Sequence, residues 1–348
     1  MIVGNRASPR QRMERRSSLD SLKSSASWAR SLLPSRGHAD EVTPTPGRRR
    51  SAPAAPIQEA QDDEPGVRQA LVPASLFTSL LGEHALISVD ARPLVIHCLH
   101  GLEWSGITRA VVVLGKGAEE LASAVRLERF EKLKVELLWG DDFGWGTSLA
   151  NSIMAARGAF DEKGEPLLIV RSDYLFDWRL LHKMARARFT SKDIDAFALV
   201  DTAQEVLEWI SGAHCGAHCK NGHCHALVKV LLGHGDRIAR IGHRLAAYDA
   251  LQAGIYVARP IIFKELAGLL RSEKFCTVAD SMQALATNGR LRFREVEDLL
   301  WFGHETMETA LTEHTLNSVA VDSTGRSAST SAWRAQALQL LFSAWDRQ

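Results

Sequence analysis

Residues 167–177 read LLIVRSDYLFD, and this stretch decides the fold. Its first four residues, Leu167–Val170, are apolar and bounded by polar residues, which is typical of a strand buried on both faces. Asp173 follows directly, and a helical pattern begins at residue 178. Because open α/β sheets bind ligands beyond the carboxyl ends of their strands, we interpret Asp173 as a ligand-binding residue. Capping of the following helix by Asp173 is the alternative, although Asp177 is the better placed cap.

The same alternation of short apolar runs and helical stretches extends to both sides. It favours a three-layer, Rossmann-like α/β fold with a mostly parallel sheet covered on both faces. Two strand-like runs flank Gly233-His234-Gly235-Asp236 and predict an inserted β-hairpin. We predict strands at residues 70–72, 110–114, 134–138, 167–170, 196–200, 225–232, 237–241 and 253–257. We predict helices at residues 93–104, 118–130, 148–158, 178–187, 260–270 and 332–345.

Composition limits the classes of function. The chain has 348 residues, of which 45% are hydrophobic, and a formal net charge of +1. This length supports a sizeable core, and the near-neutral charge gives no case for nucleic acid as the main partner. No apolar run approaches the roughly 20 residues that cross a bilayer. Five cysteines are too few for a disulfide framework in a chain of this length, so we expect a cytoplasmic, reducing compartment.

We divide the chain into three parts. Residues 1–68 form a basic tail rich in Ser, Pro and Arg, which buries too little apolar surface to offset the entropy of ordering. Apolar residues at helical spacing between positions 19 and 33 leave an organelle-targeting helix as the alternative, against which Glu14 and Asp20 argue. Residues 69–320 form the α/β domain. Residues 321–348 form a polar linker and a short helix.

Four motifs occur in order between residues 69 and 310. They are RPLVIH at 92–97 with WSGI at 104–107 and AVVV at 110–113, GTSL at 146–149, SDYLFD at 172–177, and RIARIG at 237–242 with YDA at 248–250 and AGIY at 253–256. In this order they resemble the nucleotidyltransferases that act on sugar phosphates and phosphorylated alcohols. The resemblance is closest to the cytidylyltransferases that make CDP-alcohol precursors. It implies the fold of the nucleotide-diphospho-sugar transferases.

The resemblance also implies a reaction and a set of site residues. It implies transfer of NMP from a nucleoside triphosphate, with CTP favoured, to a phosphorylated sugar or alcohol, with release of pyrophosphate. Asp173 corresponds to a Mg²⁺ ligand, and Mg²⁺ prefers carboxylate oxygens together with phosphates and water. Gly146, Thr147 and Ser148 correspond to the loop that contacts the nucleotide base. A plain cap for the following helix is the alternative for this loop.

The chain departs from the family pattern in two places. The first loop, residues 71–80, has no glycine, arginine or lysine, so Ser75 offers only a hydroxyl to a phosphate. Arg171 and Lys229 are therefore the cationic candidates for catalysis, with solvated charges as the alternative. Gln252 stands where the family has a second metal-binding aspartate. Near the end of the domain, we interpret Trp301 as a core residue.

A cluster of histidines and cysteines precedes the hairpin. Cys215, Cys219 and Cys224 with His218 have the soft ligands that Zn²⁺ prefers in a tetrahedral site. Their spacing does not match a paired C-x-x-C frame, so an insertion with reduced, inert cysteines is the alternative. A zinc ion here is expected to be structural, since the cluster offers no general base.

Three functions remain open. The first is an active, Mg²⁺-dependent nucleotidyltransferase that binds a nucleoside triphosphate and a phosphorylated small molecule. The second is a catalytically degenerate relative that binds a nucleotide or a partner. The third is a glycosyltransferase, because Asp193-Ile194-Asp195 matches the Asp-x-Asp motif of such enzymes. This motif precedes the predicted strand at 196–200, which is the wrong end for a ligand site.

Overall fold

The computed structural model describes residues 66–74, 86, 88–89, 92–115, 117–140, 149–161, 164–203, 206–207, 227–272 and 276–303. The predicted tail up to residue 65 and the predicted C-terminal part at 321–348 lie outside this set. Among the described helices, none combines the length and the apolar composition needed to cross a bilayer.

The described elements follow the alternation that the sequence predicts. The strands are β1 (Gln69–Pro73), β2 (Ser88–Val89), β3 (Arg92–Pro93), β4 (Arg109–Leu114), β5 (Lys134–Trp139), β6 (Leu167–Val170), β7 (Tyr174–Phe176), β8 (Ala196–Asp201), β9 (Lys229–Leu232), β10 (Ile238–Gly242), β11 (Ala250–Ala258), β12 (Leu291–Glu295) and β13 (Trp301–Gly303). The helices are α1 (Leu94–Trp104), α2 (Glu119–Leu127), α3 (Leu149–Ala155), α4 (Trp178–Ala185), α5 (Ile261–Ser272) and α6 (Val278–Thr287), and a 3₁₀ turn, Ala156–Ala159, follows α3.

One sheet organises these elements. Its strand order is β10-β9-β11-β6-β1-β4-β5, and β8 pairs with β11 and with β12. The pairs of β1 with β4 and β6, of β4 with β5 and of β8 with β12 are parallel. Strand β11 is antiparallel to β6, β8 and β9, and β10 is antiparallel to β9. Only β10 and β11 therefore oppose the common direction among the described strands of this sheet, so the predicted mostly parallel sheet is confirmed.

Both faces of the sheet are covered by helices, because its central strands are buried and mostly apolar on both faces. Burying one such side chain contributes about 1.5–3 kcal/mol. One cluster joins alternate strand residues to α1, α2 and α4 through Val72, Val112, Val170, Leu99, Leu121 and Leu180. The opposite cluster joins the intervening strand residues to α3, α5 and α6 through Leu71, Val111, Ile169, Ile153, Phe263 and Met282. The predicted three-layer α/β fold is confirmed.

The predicted hairpin is present as β9 and β10. The two strands pair in antiparallel register, with Ile241 opposite Val230. The amide of Gly233 donates to the carbonyl of Arg237 at 2.8 Å and closes the turn. Gly235 has a φ of +69°, a conformation that glycine adopts without steric cost.

Sequence reasoning missed six elements: β2, β3, β7, β12, β13 and α6. Strands β7 and β13 each have three residues and pair only with each other, so neither has a periodicity to detect. Helix α6 did have a local signal. Thr277 and Asp280 form a capping box, in which the Thr277 hydroxyl accepts from the Asp280 amide and the Asp280 carboxylate accepts from the Thr277 amide.

Candidate active site

The candidate site lies beyond the carboxyl end of β6, where the sheet changes direction. Strand β6 is parallel to β1 on one side and antiparallel to β11 on the other. The loop after β6 is fixed to both neighbours. The amide of Arg171 donates to the carbonyl of Gly254 on β11 at 3.1 Å. The hydroxyl of Ser172 donates to the carbonyl of Pro73 on β1 at 3.0 Å.

Asp173 is fully buried at this point, and Arg171 forms a bidentate ion pair with it. The Nε of Arg171 donates to Oδ1 of Asp173 at 3.0 Å, and its Nη2 donates to Oδ2 at 2.7 Å. The Asp173 side chain has no exposed surface, whereas the Arg171 side chain is 19% exposed. Parallel N–H···O bonds of this kind fix the orientation of the guanidinium as well as its distance.

An aromatic stack supports the guanidinium from a second side. The central carbon of the Arg171 guanidinium lies 4.4 Å from the centre of the Tyr174 ring. Tyr174 stacks on Trp301, with ring centres 5.8 Å apart and an angle of 16° between the planes. Trp301 is 3% exposed, which confirms its predicted place in the core. Its indole N–H donates to Oδ2 of Asp201 at 2.6 Å. Sequence reasoning assigned no role to Tyr174 or Asp201.

Gly254 makes room for this stack. Its φ is +79°, and a Cβ atom at this position would lie 2.5 Å from Cδ2 of Tyr174. The register of β11 against β8 shifts between Gln252 and Tyr256, so Gly254 sits within an irregular stretch of the strand. An alanine here would meet both the backbone strain and the ring.

Gln252 is buried close to the same loop. It is 3% exposed, and its Nε2 donates to the carbonyl of Ile255 at 3.1 Å. Ile255 pairs with Val170, the last residue of β6, so Gln252 lies three residues along β11 from the contact with that strand. This is where the resemblance implies a second metal-binding carboxylate, and the chain has an amide instead.

The described side chains do not fit a preformed Mg²⁺ site. Both carboxylate oxygens of Asp173 accept hydrogen bonds from Arg171. In the part of the chain that the structure describes, no group of three or more His, Cys, Asp and Glu side chains is arranged to hold a metal ion. A divalent ion at Asp173 would lie beside the positive guanidinium of Arg171, whose charge opposes its binding.

Cys98 lies beneath the site in α1. Burial raises the pKa of its thiol to about 12, and the negative charge of Asp173 adds to the rise. The thiol therefore stays protonated at neutral pH, and only the thiolate is a strong nucleophile. We assign Cys98 to the core.

Lys229 approaches from the hairpin side of β11. It pairs with Leu251, and the amide of Gln252 donates to the carbonyl of the preceding Val228 at 2.9 Å. The Nζ of Lys229 lies 4.9 Å from the centre of the Tyr248 ring. Because β8 pairs along the other edge of β11, Lys229 and Arg171 lie on the same edge of this strand, beside successive stretches of it.

Two further aspartates take structural positions. Asp177 caps α4 by accepting from the amide of Arg179 at 3.0 Å, which confirms its predicted role. Asp195 of the Asp-x-Asp motif lies buried at the amino end of β8 and pairs with Arg290. Burial raises the pKa of Asp195, and Arg290 and Arg259 oppose that rise. The motif therefore lies at the end of β8 opposite to Asp201, which binds Trp301.

The remaining predicted residues lie outside the described part of the chain. They are Ser75, Gly146, Thr147 and Ser148 of the nucleotide site, and Cys215, His218, Cys219 and Cys224 of the zinc cluster. Their roles stay predictions.

Comparisons with known proteins identify the class of fold. No protein-family profile and no curated protein matches the chain. It is similar to the solved inositol-1-phosphate CTP transferase from T. maritima, at 18% identity and a TM-score of 0.53, covering 69% of this chain and 90% of that one. A UDP-glucose pyrophosphorylase complexed with UDP-glucose is similar at 12% identity and a TM-score of 0.54, and the match covers 73% of this chain and 99% of that one. A UTP-bound UGPase from Acinetobacter baumannii is similar at 13% identity and a TM-score of 0.50, and the match covers 74% of this chain and 100% of that one.

These similarities show the fold of the sugar-phosphate nucleotidyltransferases. The resemblance predicted from the four motifs is confirmed at that level.

Proposed function

We propose that this chain is a nucleotidyltransferase that transfers NMP from a nucleoside triphosphate to a phosphorylated sugar or alcohol and releases pyrophosphate. CTP is the favoured nucleotide, because the motifs resemble those of the cytidylyltransferases most closely. The observation that carries the proposal is the oriented guanidinium of Arg171 beyond the carboxyl end of β6, where the sheet changes direction. Open α/β sheets bind their ligands beyond the carboxyl ends of their strands.

The reaction determines what the site must supply. A phosphate oxygen of the acceptor attacks the α-phosphorus, so that a new P–O bond forms. The bond from the α-phosphorus to the bridging oxygen of the β-phosphate breaks, and its electron pair leaves with pyrophosphate. Negative charge spreads over the phosphoryl oxygens in the transition state, and fixed cations stabilise it.

Arg171 and Lys229 are the cations that we assign to this task. Asp173 and the Tyr174 ring hold the Arg171 guanidinium, so little reorganisation accompanies phosphate binding. Lys229 carries a compact charge on a flexible stem, from β9, which pairs with the adjoining stretch of the same edge of β11. We assign Arg171 to the nucleotide phosphates and Lys229 to the acceptor phosphate.

The loops that precede α3 and follow β1 complete the proposed nucleotide site. Gly146, Thr147 and Ser148 directly precede α3 and are proposed to contact the base. Ser75 follows Ala74, whose amide donates to the carbonyl of Val113 at the carboxyl end of the parallel sheet. A hydroxyl from Ser75 is proposed to reach a phosphate.

A second function has one observation in its favour. Gln252 replaces a carboxylate, and its amide is hydrogen-bonded to its own strand. A relative that binds the nucleotide without turnover fits a site that has lost a metal ligand.

One experiment separates these two functions. The purified full chain is incubated with each of CTP, UTP, ATP and GTP, with and without phosphorylated acceptors such as inositol 1-phosphate, phosphocholine and glucose 1-phosphate, and pyrophosphate release is measured. Release that requires both a nucleotide and an acceptor is expected. Nucleotide binding without release in every combination supports the second function. A chain that neither binds nor turns over any nucleotide contradicts both.

A further inference from the structure

We propose that the guanidinium of Arg171 takes the place of a divalent cation in this site, so that a nucleoside triphosphate binds without a metal ion. The inference rests on the proposed function, since it concerns how the same site holds the nucleotide phosphates.

The first step is the state of the Asp173 carboxylate. Both of its oxygens accept N–H groups of Arg171, at 3.0 and 2.7 Å. These hydrogen bonds occupy one lone pair on each oxygen, and a metal ion bound to the remaining lone pairs would lie beside the positive guanidinium. The carboxylate therefore anchors a positive group instead of presenting a negative one.

The second step is the exposure of the two partners. The Asp173 side chain has no exposed surface, and the Arg171 side chain is 19% exposed. The pair therefore meets solvent only through its cation. An anion that approaches the carboxyl end of β6 encounters the positive group first, which is the polarity that a bound metal would create.

The third step is the charge at the position where the resemblance implies a second metal-binding carboxylate. Gln252 occupies this position, and its side chain is an amide. Its Nε2 donates to the carbonyl of Ile255. Among the described residues, the lost carboxylate and the added guanidinium change the local charge in the same direction. Both changes weaken metal binding, and both strengthen direct binding of phosphate.

The fourth step is the rigidity of the guanidinium. The Tyr174 ring lies against it at 4.4 Å, and Trp301 stacks behind that ring. A solvated surface arginine is not held in this way. The protein contains such an arginine as a comparison: Arg179 pairs with Asp177 at the same spacing of two residues, but the Arg179 side chain is 57% exposed.

The test compares nucleotide binding with and without Mg²⁺. Binding of CTP, UTP, ATP and GTP to the full chain is measured by calorimetry in excess EDTA and in Mg²⁺. For the nucleotide that binds most tightly, the two dissociation constants are expected to agree within about threefold, which is less than 1 kcal/mol. The double variant Arg171→Met/Asp173→Asn removes both charges together and is expected to weaken binding by about 10- to 100-fold in EDTA. Arg179→Met is the matched control and is expected to bind like the parent chain.

A second variant tests whether Mg²⁺ can replace the guanidinium at Asp173. Arg171→Met alone releases the carboxylate, so nucleotide binding by this variant is expected to depend on Mg²⁺. Its thermal midpoint is also expected to rise when Mg²⁺ is added, unlike that of the parent. If this single variant does not fold, the double variant in EDTA still decides the question.

The outcomes separate the inference from the proposed function. Nucleotide binding by the parent chain that is lost in EDTA overturns the inference and leaves the proposed function in place. Unchanged binding by the double variant overturns the inference as well. If no nucleotide binds under either condition, both the proposed function and the inference fail.

Discussion

The indole N–H of Trp301 donates to Oδ2 of Asp201, 100 positions earlier in the chain, at 2.6 Å. Both residues are buried, at 3% and 4% exposure. The other carboxylate oxygen of Asp201 accepts from the amide of Ala203 at 3.0 Å. This contact ties the last described strand, β13, to the carboxyl end of β8, and it holds the ring on which Tyr174 stacks.

The first prediction concerns this hydrogen bond. Trp301→Phe keeps an aromatic ring but removes the donor, which leaves a buried carboxylate oxygen without that partner. We expect a loss of about 1–3 kcal/mol in the free energy of unfolding. Urea denaturation of Trp301→Phe, Asp201→Asn and the double variant measures the coupling between the two residues. Additive losses would show that the contact contributes nothing.

The second prediction concerns Gly254. Gly254→Ala places a Cβ atom 2.5 Å from Tyr174 at a φ of +79°. We expect the free energy of unfolding to fall by about 2 kcal/mol or more, because displacement of the Tyr174 ring adds to the backbone strain. Gly235→Ala is the matched control, with a φ of +69° and no atom within 4 Å of the added Cβ. That variant is expected to lose only about 1 kcal/mol, from the backbone alone. Equal losses for the two variants in chemical denaturation would contradict the close contact with Tyr174.

The third prediction concerns pH. The hydrogen bonds from Arg109 and Lys134 lower the pKa of Glu136 from 4.5 to about 2. Because the folded state has the lower pKa, the stabilisation is present above pH 4.5 and is lost as the pH falls towards 2. We expect the ionised Glu136 carboxylate to contribute about 1 kcal/mol to the free energy of unfolding. This is well below the value for an unscreened pair, because the Glu136 side chain is 32% exposed.

The measurement is a difference between two pH profiles of stability. The parent chain and Glu136→Gln are unfolded in urea between pH 7 and pH 2, and the difference between them is expected to shrink across the acidic range. Arg109→Met removes the stronger partner and is expected to abolish most of this pH dependence. A constant difference at every pH would show that Glu136 titrates normally in the folded chain.

The fourth prediction concerns Cys98. With a pKa of about 12, its thiol is expected to react with iodoacetamide about a thousandfold more slowly in the folded chain than after unfolding, at pH 8. Peptide mapping by mass spectrometry after timed alkylation follows this cysteine separately from the other four. Rapid labelling of Cys98 under native conditions would contradict its burial beneath the site.

The elements that could be predicted from sequence are those with a local signal. Strand β6 is bounded as predicted, because Leu167–Val170 is an unbroken apolar run between polar residues. The β9–β10 hairpin follows from its Gly- and Asp-rich turn, and the cap of α4 follows from Asp177. These features depend on a few adjacent residues, so the order of amino acids is enough to find them.

The candidate site was only partly predictable, because long-range contacts set its geometry. The sequence singled out Asp173 as the key side chain after β6, and its functional role stays a prediction. Its pairing with Arg171 was missed, since that pairing depends on how Gly254 and Pro73 hold the intervening loop. The same holds for the contact between Tyr174 and Trp301, which joins two three-residue strands from distant parts of the chain.

The anchoring of the Arg171 loop to β11 imposes an order of events during synthesis. The ribosome synthesises β6 and its loop well before Gly254, and it synthesises Trp301 later still. Until these partners leave the exit tunnel, Arg171 and Tyr174 lack the carbonyl and the ring that fix them, although β1, β4 and β6 can already pair. A nascent chain halted before β11 therefore has most of the sheet but not the contacts that fix Arg171, so the proposed nucleotide site is among the last parts of this protein to mature.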